Sequence, residues 1–371
     1  MAVYKIFPEK DSTIYSKYPN KNTGLDEILE ASTYFDISGN PQVSRFLIQF
    51  PQSEITDTFS TYIGNLTWSA SLKCFLAYAS GLNSDTTMEI YPISGSWNMG
   101  TGRYAYTPEY TNGVGWYSRL SAGVGNWSTS SFANFVTASY SSSISGGGTW
   151  YTGSSNTTVL PIFTTQSFSF YDNKDINIDI TNIVKAWVSG TFSNNGVIIK
   201  QQTEFVNNSD YQTKLQYFSR DTHTIYPPQL ELKWDDSSTI PFQSVLETLP
   251  AIISISNNPG IFYPSSINEF RVNSRPEYPV RTFQTSSYYT QNYGLPYGDS
   301  YYAIKDLDTN EYVIDFDDQY TKLSLDDNGS FFTLYMNGLE PERYYSILIK
   351  TTINGSTIIF DDNYYFKIIN G

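Results

Sequence analysis

The chain has 371 residues, of which 17% are aromatic and only 16% are charged. It carries 22 Lys and Arg against 36 Asp and Glu, a formal net charge of −14. An acidic chain repels phosphate backbones, which argues against sequence-independent binding to nucleic acid. Charged helix-surface residues are scarce, while Ser, Thr, Asn and Gly are abundant, a composition typical of many short strands joined by polar turns. The sequence therefore predicts an all-β fold.

Cys74 is the one cysteine and His223 the one histidine. A single cysteine allows no intrachain disulfide and no cysteine-based zinc site. Cys74 alternates with apolar neighbours, which predicts a buried thiol on a strand. His223 lies in a turn-like stretch, so we expect no Ser-His-Asp catalysis, no enzymatic activity and no cofactor.

No run of about 18 apolar residues, the length of a membrane-spanning helix, occurs in the sequence. The N-terminus also lacks the apolar core and basic leader of a signal peptide. We therefore expect the protein to be made and folded in a cytosol, without insertion into a membrane.

Residues 1–235 are predicted to form the first domain, a β-sandwich, because apolar and polar residues alternate along short runs. A Gly/Ser-rich stretch at residues 122–156 predicts a long surface excursion. The predicted strands are Ala2–Phe7, Ile28–Tyr34, Ser44–Phe50, Ser69–Ala77, Ser167–Tyr171, Gly196–Gln201, Lys214–Ser219 and Pro227–Trp234.

One short helix is predicted within this domain, because apolar residues recur at i, i+3, i+4, i+7 and i+8. Asp179 or Thr181 can cap its start, and Gly190 can end it. A single apolar face of this kind is expected to pack against the sandwich. The apolar residues are Ile180, Ile183, Val184, Trp187 and Val188.

Residues 236–261 are predicted to be a linker and connecting segment, and residues 262–371 an immunoglobulin-like β-sandwich. The Asn354-Gly355 pair between two alternating runs predicts a tight hairpin. Tyr344 or Tyr345 is expected to hydrogen-bond back to backbone near Leu339, as in a tyrosine corner. The predicted strands are Ile267–Val272, Val280–Ser286, Ser300–Asp306, Tyr312–Phe316, Ser330–Tyr335, Tyr344–Thr352, Thr357–Phe360 and Tyr364–Ile369.

Several short segments of residues 3–235 resemble the bacterial DNRLRE-type domain. They begin with Lys10-Asp-Ser-Thr-Ile-Tyr-Ser and Asn22-Thr-Gly-Leu, and continue with Ser94-Gly-Ser-Trp-Asn-Met-Gly and Gly146-Gly-Gly. The stretch from Asp179 to Gly190 and the closing Pro227-Pro-Gln-Leu-Glu-Leu are similar to the most specific part of that family. The resemblance implies a jelly-roll-like sandwich of cell-surface proteins and carries over no catalytic residue.

Residues 273–287 and Tyr335-Met-Asn-Gly-Leu-Glu-Pro-Glu-Arg-Tyr-Tyr resemble C-terminal domains of structural proteins in T4-like tailed phages. This resemblance implies a virion component that contacts other virion proteins, in a homo-oligomer or a multicopy assembly, after synthesis in the host cytoplasm. Tyr pairs such as 301–302 and 364–365 would lie at such contacts, with one member of each pair in the core.

A carbohydrate-binding or adhesin module, with a host glycan as ligand, is the alternative function. Trp127, Trp150 and Tyr151 are flanked by Ser and Gly, so we expect them to be exposed and to contact a glycan or a partner. Trp97 and Trp116 are expected to be core anchors instead. A glycosidase would need two carboxyl groups across a sugar groove, and the spacing of Glu89, Glu109 and Asp172 singles out no pair.

Asp306, Asp308 and Asn310 begin a D-x-D-x-N pattern and are candidate calcium ligands. The glycine and the terminal glutamate of a calcium loop are missing at the required spacing. An ordinary Asp-rich turn between two strands explains the same pattern.

Overall fold

The structure is a computed structural model, described here over residues 2–82, 84–127, 131–132, 135–138, 146–151, 162–204, 206, 212–240, 244–279 and 292–370. These residues form curled, mainly antiparallel sheets with two short α-helices, which confirms the predicted all-β, sandwich-like fold. Within these ranges, no helix has the length and apolarity needed to cross a membrane.

Alternating sequence forms many of the strands along the first 234 residues. Trp68–Cys74 buries alternate side chains, whereas Pro41–Gln49 is buried on both faces over most of its length. The strands are β1 (Ala2–Ile6), β2 (Lys10–Tyr15), β3 (Ile28–Phe35), β4 (Pro41–Gln49), β5 (Trp68–Cys74), β6 (Leu76–Ser80), β7 (Thr86–Pro92), β8 (Ser118–Ser121), β9 (Val124–Asn126), β10 (Ser131–Phe132), β11 (Phe135–Ala138), β12 (Trp150–Tyr151), β13 (Thr164–Phe168), β14 (Ile176–Asp179), β15 (Val197–Gln201), β16 (Lys214–Phe218) and β17 (Gln229–Trp234).

The largest sheet has eight strands, all antiparallel to their neighbours. Its order is β13-β7-β15-β4-β3-β16-β6, and β2 pairs with the second edge of β4. A second sheet has the order β1-β17-β5-β14, β10 to β12 form a third, and β8 pairs with β9. The predicted strands did not include β2, β7, β8 to β12 or β14. The prediction placed β13 too late, because exposed Phe170 and Tyr171 follow the strand in a turn.

Two helices interrupt these strands. The predicted helix forms as α2 (Thr181–Val188), with the side chain of Asp179 accepting a hydrogen bond from the Thr181 N–H. The other helix, α1 (Gln52–Thr58), was not predicted; it continues into a π-helical turn (Phe59–Ile63). Buried Ile55 is followed at helical spacing by residues 59 and 63, which are also buried, so the pattern was present.

The remaining strands form two further sheets, with the orders β18-β20-β24-β23 and β19-β27-β25-β21-β22, and β26 pairs with β25. Every predicted strand after residue 261 has a counterpart here, except Val280–Ser286, which lies outside the described residues. The strands are β18 (Ala251–Ser256), β19 (Ile261–Phe262), β20 (Ile267–Pro276), β21 (Ser300–Asp306), β22 (Tyr312–Ile314), β23 (Ser324–Asp326), β24 (Gly329–Tyr335), β25 (Tyr344–Ile353), β26 (Ser356–Phe360) and β27 (Tyr365–Ile368).

The chain divides into two compact units, neither of which is a continuous segment. The N-terminal unit comprises residues 6–62 and 69–231, and the C-terminal unit comprises residues 1–5, 63–68 and 232–371. Val3 belongs to the C-terminal unit because its side chain packs in a core otherwise built from residues 246–368. The strand Ala251–Ser256 lies within the stretch predicted as a linker.

Two predictions about single residues are confirmed, and the prediction for tyrosine pairs holds at one of the two pairs described. The Tyr345 hydroxyl donates to the Glu340 carbonyl at 3.2 Å, which is the expected tyrosine corner. Cys74 is a buried strand thiol. One member of each tyrosine pair was expected in the core, and Tyr302 is fully buried beside half-buried Tyr301. In the second pair Tyr365 is exposed and its neighbour is only half-buried, so the expectation is wrong there.

A buried ion pair lies in the N-terminal unit. Arg45 on β4 donates to Glu204 from Nε at 3.0 Å and from Nη2 at 2.8 Å, across 159 residues of sequence. Its third nitrogen donates to the Gly147 carbonyl, and the guanidinium lies 5.0 Å from the Trp116 ring and 5.2 Å from the Trp150 ring. Both charges are therefore compensated, as burial requires.

Three glycines allow the backbone to approach this ion pair. Gly146, Gly147 and Gly148 all have positive φ, at 96°, 82° and 94°. A Cβ at Gly146 would lie 2.4 Å from the Trp116 carbonyl oxygen, and one at Gly148 would lie 2.6 Å from Ile198 Cδ1. The run of three glycines thus has a steric cause.

We expect Glu204→Gln to destabilise the N-terminal unit by about 3–5 kcal/mol, because it leaves the Arg45 charge buried and uncompensated. The matched control is Glu109→Gln, since Glu109 is 43% exposed and lies 3.5 Å from Lys21. That surface pair should contribute at most about 1 kcal/mol. Urea unfolding followed by tryptophan fluorescence measures both variants, and equal losses would contradict the prediction.

Asp11 on β2 is buried and accepts a hydrogen bond from the Arg220 N–H at 2.7 Å. Burial is the main cause that raises the pKa of this carboxyl to about 8. Because the folded state holds the proton more tightly than the unfolded state, stability should fall as pH rises from about 4 to 8.

Asp11→Asn should flatten this decline, since the amide does not titrate, and the difference should reach a few kcal/mol by about pH 8. Urea unfolding at several pH values between those limits measures the effect. Asp57→Asn, at an exposed position on α1, is the control and should keep the wild-type profile. If the stability of the wild type and of Asp11→Asn depended on pH in the same way, the raised pKa of Asp11 would be refuted.

Candidate functional site

A cleft of about 650 Å³ opens on the N-terminal unit. Its floor is one face of β3 and β16, opposite to the face that buries Leu29 and Ala31. Side chains from β2, from the end of β6 and from residues 103–105 line its walls. The lining includes Tyr15, Asp26, Glu27, Glu30, Ser32, Tyr34, Ser80, Arg103, Tyr104, Lys214 and Gln216.

The strand register places a row of side chains across this floor. Tyr15 lies opposite Ser44, Ser44 opposite Ser32, Ser32 opposite Lys214, and Lys214 opposite Ser80. Directly paired residues on neighbouring strands share one face of a sheet. Of this row, Ser32, Ser80 and Lys214 line the cleft together with the Tyr15 ring at its end.

Glu30 organises the polar groups of the floor. Its carboxylate lies 3.0 Å from Lys214 Nζ and accepts hydrogen bonds from Gln216 Nε2 at 2.9 Å and from the Ser32 hydroxyl at 2.8 Å. These contacts fix the orientation of the side chains before any ligand arrives.

Two further carboxylates lie at the mouth of the cleft. Asp26 accepts from the Tyr104 N–H at 3.0 Å, and burial is the main cause that raises its pKa to about 6. Glu27 lies 3.3 Å from Arg103 and 3.7 Å from His223. The His223 side chain is 86% exposed and faces this carboxylate.

Residues 103–117, the tyrosine loop, border the cleft and expose four tyrosines. The rings of Tyr106 and Tyr110 lie 5.2 Å apart. Lys21 holds the first part of the loop, because its Nζ donates to the Tyr104 carbonyl at 3.0 Å and lies 4.8 Å from the Tyr104 ring. The exposed tyrosines are Tyr104, Tyr106, Tyr110 and Tyr117.

Asn22, which is fully buried, fixes the stem of this loop. Its Nδ2 donates to the Met99 carbonyl at 2.7 Å and to the Val114 carbonyl at 3.0 Å, while Oδ1 accepts from the Gly102 N–H at 2.8 Å. A Cβ at Gly102 would lie 2.2 Å from the Asn22 carbonyl oxygen, and one at Gly113 would lie 2.4 Å from Nδ2. The tyrosine loop is therefore preorganised by one side chain.

The predicted exposure of Trp127, Trp150 and Tyr151 is wrong: they are 8%, 5% and 6% exposed. The Trp127 indole N–H donates to a buried carbonyl at 3.1 Å, that of Gly115. Trp150 flanks the buried guanidinium described above, and Tyr151 stacks on Phe192 at 4.7 Å. Flanking Gly and Ser allow close packing here, so they do not indicate exposure. The prediction that Trp97 and Trp116 are core residues is confirmed.

The predicted calcium turn contains an ion pair. Arg343 donates to both oxygens of Asp306, at 2.6 Å and 2.7 Å, and the N–H groups of Asp308 and Thr309 donate to the same carboxylate. Burial alone would raise the pKa of Asp306, but these hydrogen bonds lower it below its usual value. Asn310 adopts a left-handed conformation with φ of 64°. In the described part of the chain, no three His, Cys, Asp or Glu side chains are grouped for a metal ion.

The carboxylates considered for glycoside cleavage are engaged separately. Glu89 contacts Lys200 and the Tyr91 hydroxyl, Glu109 lies near Lys21, and Asp172 accepts from the Ser169 N–H. The cleft residues were not predicted from the sequence. The signal for its floor was the alternation on β3, where polar residues 30, 32 and 34 face away from the core.

No family model matches the chain, and no curated protein matches it. Two crystal structures of Parabacteroides merdae β-glucuronidase are similar to it at 10% identity and a TM-score of 0.17. One, with glycerol in its active site, covers 81% of this chain and 28% of its own, and the other covers 96% and 36%. The chain thus spans between 28% and 36% of their length, and TM-scores this low carry no argument about function.

Proposed function

We propose that this chain is a structural component of a tailed-phage virion that acts by assembly and surface contacts. It would be an accessory protein of the capsid, neck, tail or fibre, and it would not be an enzyme. The observation that supports the proposal best is the tyrosine loop, which Asn22 holds in place. The phage resemblance of the C-terminal residues supports the same role.

The chemistry of the loop suits contact with another protein. Tyrosine offers a large rigid ring and a polar tip, and ordering it costs little conformational entropy. A loop that is already fixed loses less freedom on binding, so more of the contact energy becomes affinity. Many copies on one particle would add avidity to contacts that are weak singly.

Immunogold electron microscopy with an antibody against this chain tests the role directly. We expect label at a fixed place on every phage particle that encodes the chain. Unlabelled particles, with label on cell surfaces instead, would overturn the virion role.

Double replacement Tyr106→Ala/Tyr110→Ala should lower the amount of chain per particle by at least about 10-fold, because clustered tyrosines are typical interface hot spots. Tyr171→Ala is the matched control, since Tyr171 is exposed and contacts only Phe170 among rings described here. Quantitative blotting of purified particles measures incorporation. Equal incorporation of all variants would show that the tyrosine loop is not the contact.

A carbohydrate-binding module is the second candidate function, and the cleft favours it. Rings of Tyr15, Tyr34 and Tyr104 lie beside hydroxyl, amide and carboxylate groups, which is the mixture that a polar, hydroxylated ligand needs. In this proposal the glycan contacts are the cleft residues, and not the buried Trp127, Trp150 and Tyr151. Both functions are compatible in one particle protein.

Tyr34→Ala should weaken glycan binding by at least about 10-fold, because it removes an exposed ring of the cleft without opening a core. Tyr171→Ala should bind as the wild type does. Binding is measured on a glycan array and then by calorimetry with the best ligand. A wild-type chain that binds no glycan, or equal affinities for the wild type and Tyr34→Ala, would contradict this function.

A further inference from the structure

The β25–β26 hairpin fixes which backbone groups face outward at one edge of the C-terminal unit. Asn354 and Gly355 both have positive φ, 49° and 78°, as a two-residue type I′ turn requires. Ile353 and Ser356 flank this turn and are directly paired. In such a hairpin the flanking pair is hydrogen-bonded, and the next pair along the strands is not.

The next pair is Thr352 and Thr357. The Thr352 N–H donates to the Asp299 carbonyl at 2.9 Å, so it points away from β26. This is the direction expected for a pair that is not hydrogen-bonded across the hairpin. The N–H and C=O groups of Thr357, and those of Ile359 two residues later, therefore point away from β25.

These four outward groups have no hydrogen-bond partner within the described ranges of the chain. The edge strand β18, in the other sheet of this unit, differs from β26. There, the Tyr364 hydroxyl donates to the Ile253 carbonyl of β18 at 3.0 Å, so one outward group of that edge is engaged. Of these two edges, β26 is the one on which no outward group is engaged within the described residues.

The sequence of β26 lacks the usual protection of an open edge. Ser356–Phe360 contains no charged residue and no proline, and Ile359 is 49% exposed. Natural edge strands are normally blunted by lysine, proline or a bulge, because an unprotected edge pairs with another strand.

We propose that β26 pairs antiparallel with β26 of a second copy of this chain, about a two-fold axis at Ile358. In this register Thr357 lies opposite Ile359 of the second copy, and Ile359 opposite its Thr357. Both are hydrogen-bonded pairs, so the four outward groups on each copy form four N–H···O=C bonds between the copies. The two sheets then continue into one, and the interface is isologous.

For pairing between two copies of this chain, charge selects the antiparallel direction. Two carboxylates, Asp361 and Asp362, follow β26 directly. In the antiparallel register they lie opposite Gly355 and Asn354 of the second copy, whereas parallel in-register pairing would set each carboxylate beside its equivalent. Like charges placed directly opposite each other destabilise strand pairing.

This inference deepens the assembly role proposed above and rests on it for its biological use. The pairing itself is a property of the isolated full-length chain. A chain that dimerises through β26 but does not label particles would overturn the virion role alone, and labelled particles with a monomeric chain would overturn the pairing alone.

Analytical ultracentrifugation of the full-length chain tests the pairing, together with hydrogen exchange at several protein concentrations. We expect a concentration-dependent dimer, in which exchange at the Thr357 and Ile359 amides slows as concentration rises. A chain that stays monomeric at every concentration, or exchange at these two amides that is independent of concentration, overturns the proposal.

Ile359→Lys should weaken dimerisation by at least about 10-fold, because it places a charge on the pairing edge. Ile252→Lys is the matched control on β18, where an isoleucine that is also exposed should be replaceable without effect on a dimer formed through β26. Thr357→Pro removes one outward N–H and keeps the bonds to β25, so it should also give monomers. Equal dimerisation of Ile359→Lys and Ile252→Lys overturns the assignment to β26.

Discussion

The ion pair between Arg45 and Glu204 is the constraint around which the N-terminal unit is organised. A buried guanidinium tolerates no missing partner, so it needs a carboxylate, a carbonyl and flat rings on its faces. The structure supplies them from Glu204, Gly147, Trp116 and Trp150. Gly147 and Trp150 lie within residues 122–156, the stretch predicted from the sequence to be a surface excursion, and Trp116 lies just before it.

Local periodicity explains what the sequence predicted correctly. Alternation located most strands, a helical repeat located α2, and Tyr345 made the expected corner. The errors arose where the deciding contact is distant in sequence. Trp150 was predicted to be exposed because its neighbours are small, yet its burial depends on Arg45, more than 100 residues away. The cleft was missed for the same reason, since the register of five strands creates it.

The proposed roles draw on one physical theme, a surface that is rigid before it meets a partner. Asn22 fixes the tyrosine loop, Glu30 fixes the polar floor of the cleft, and the type I′ turn fixes β26. Each reduces the conformational entropy lost on binding, so contacts of small area contribute more to affinity. Repetition on a particle would amplify them further.

The membership of Val3 in the core of the C-terminal unit has a consequence for synthesis. The residues it packs with lie between positions 246 and 368, so the ribosome makes Val3 long before its neighbours. That core closes only once nearly the whole chain has emerged, and contacts of such long sequence separation form slowly. Until then the first strand is an apolar segment without its final neighbours, which is the stage at which a nascent chain is most exposed to aggregation or to capture by a chaperone.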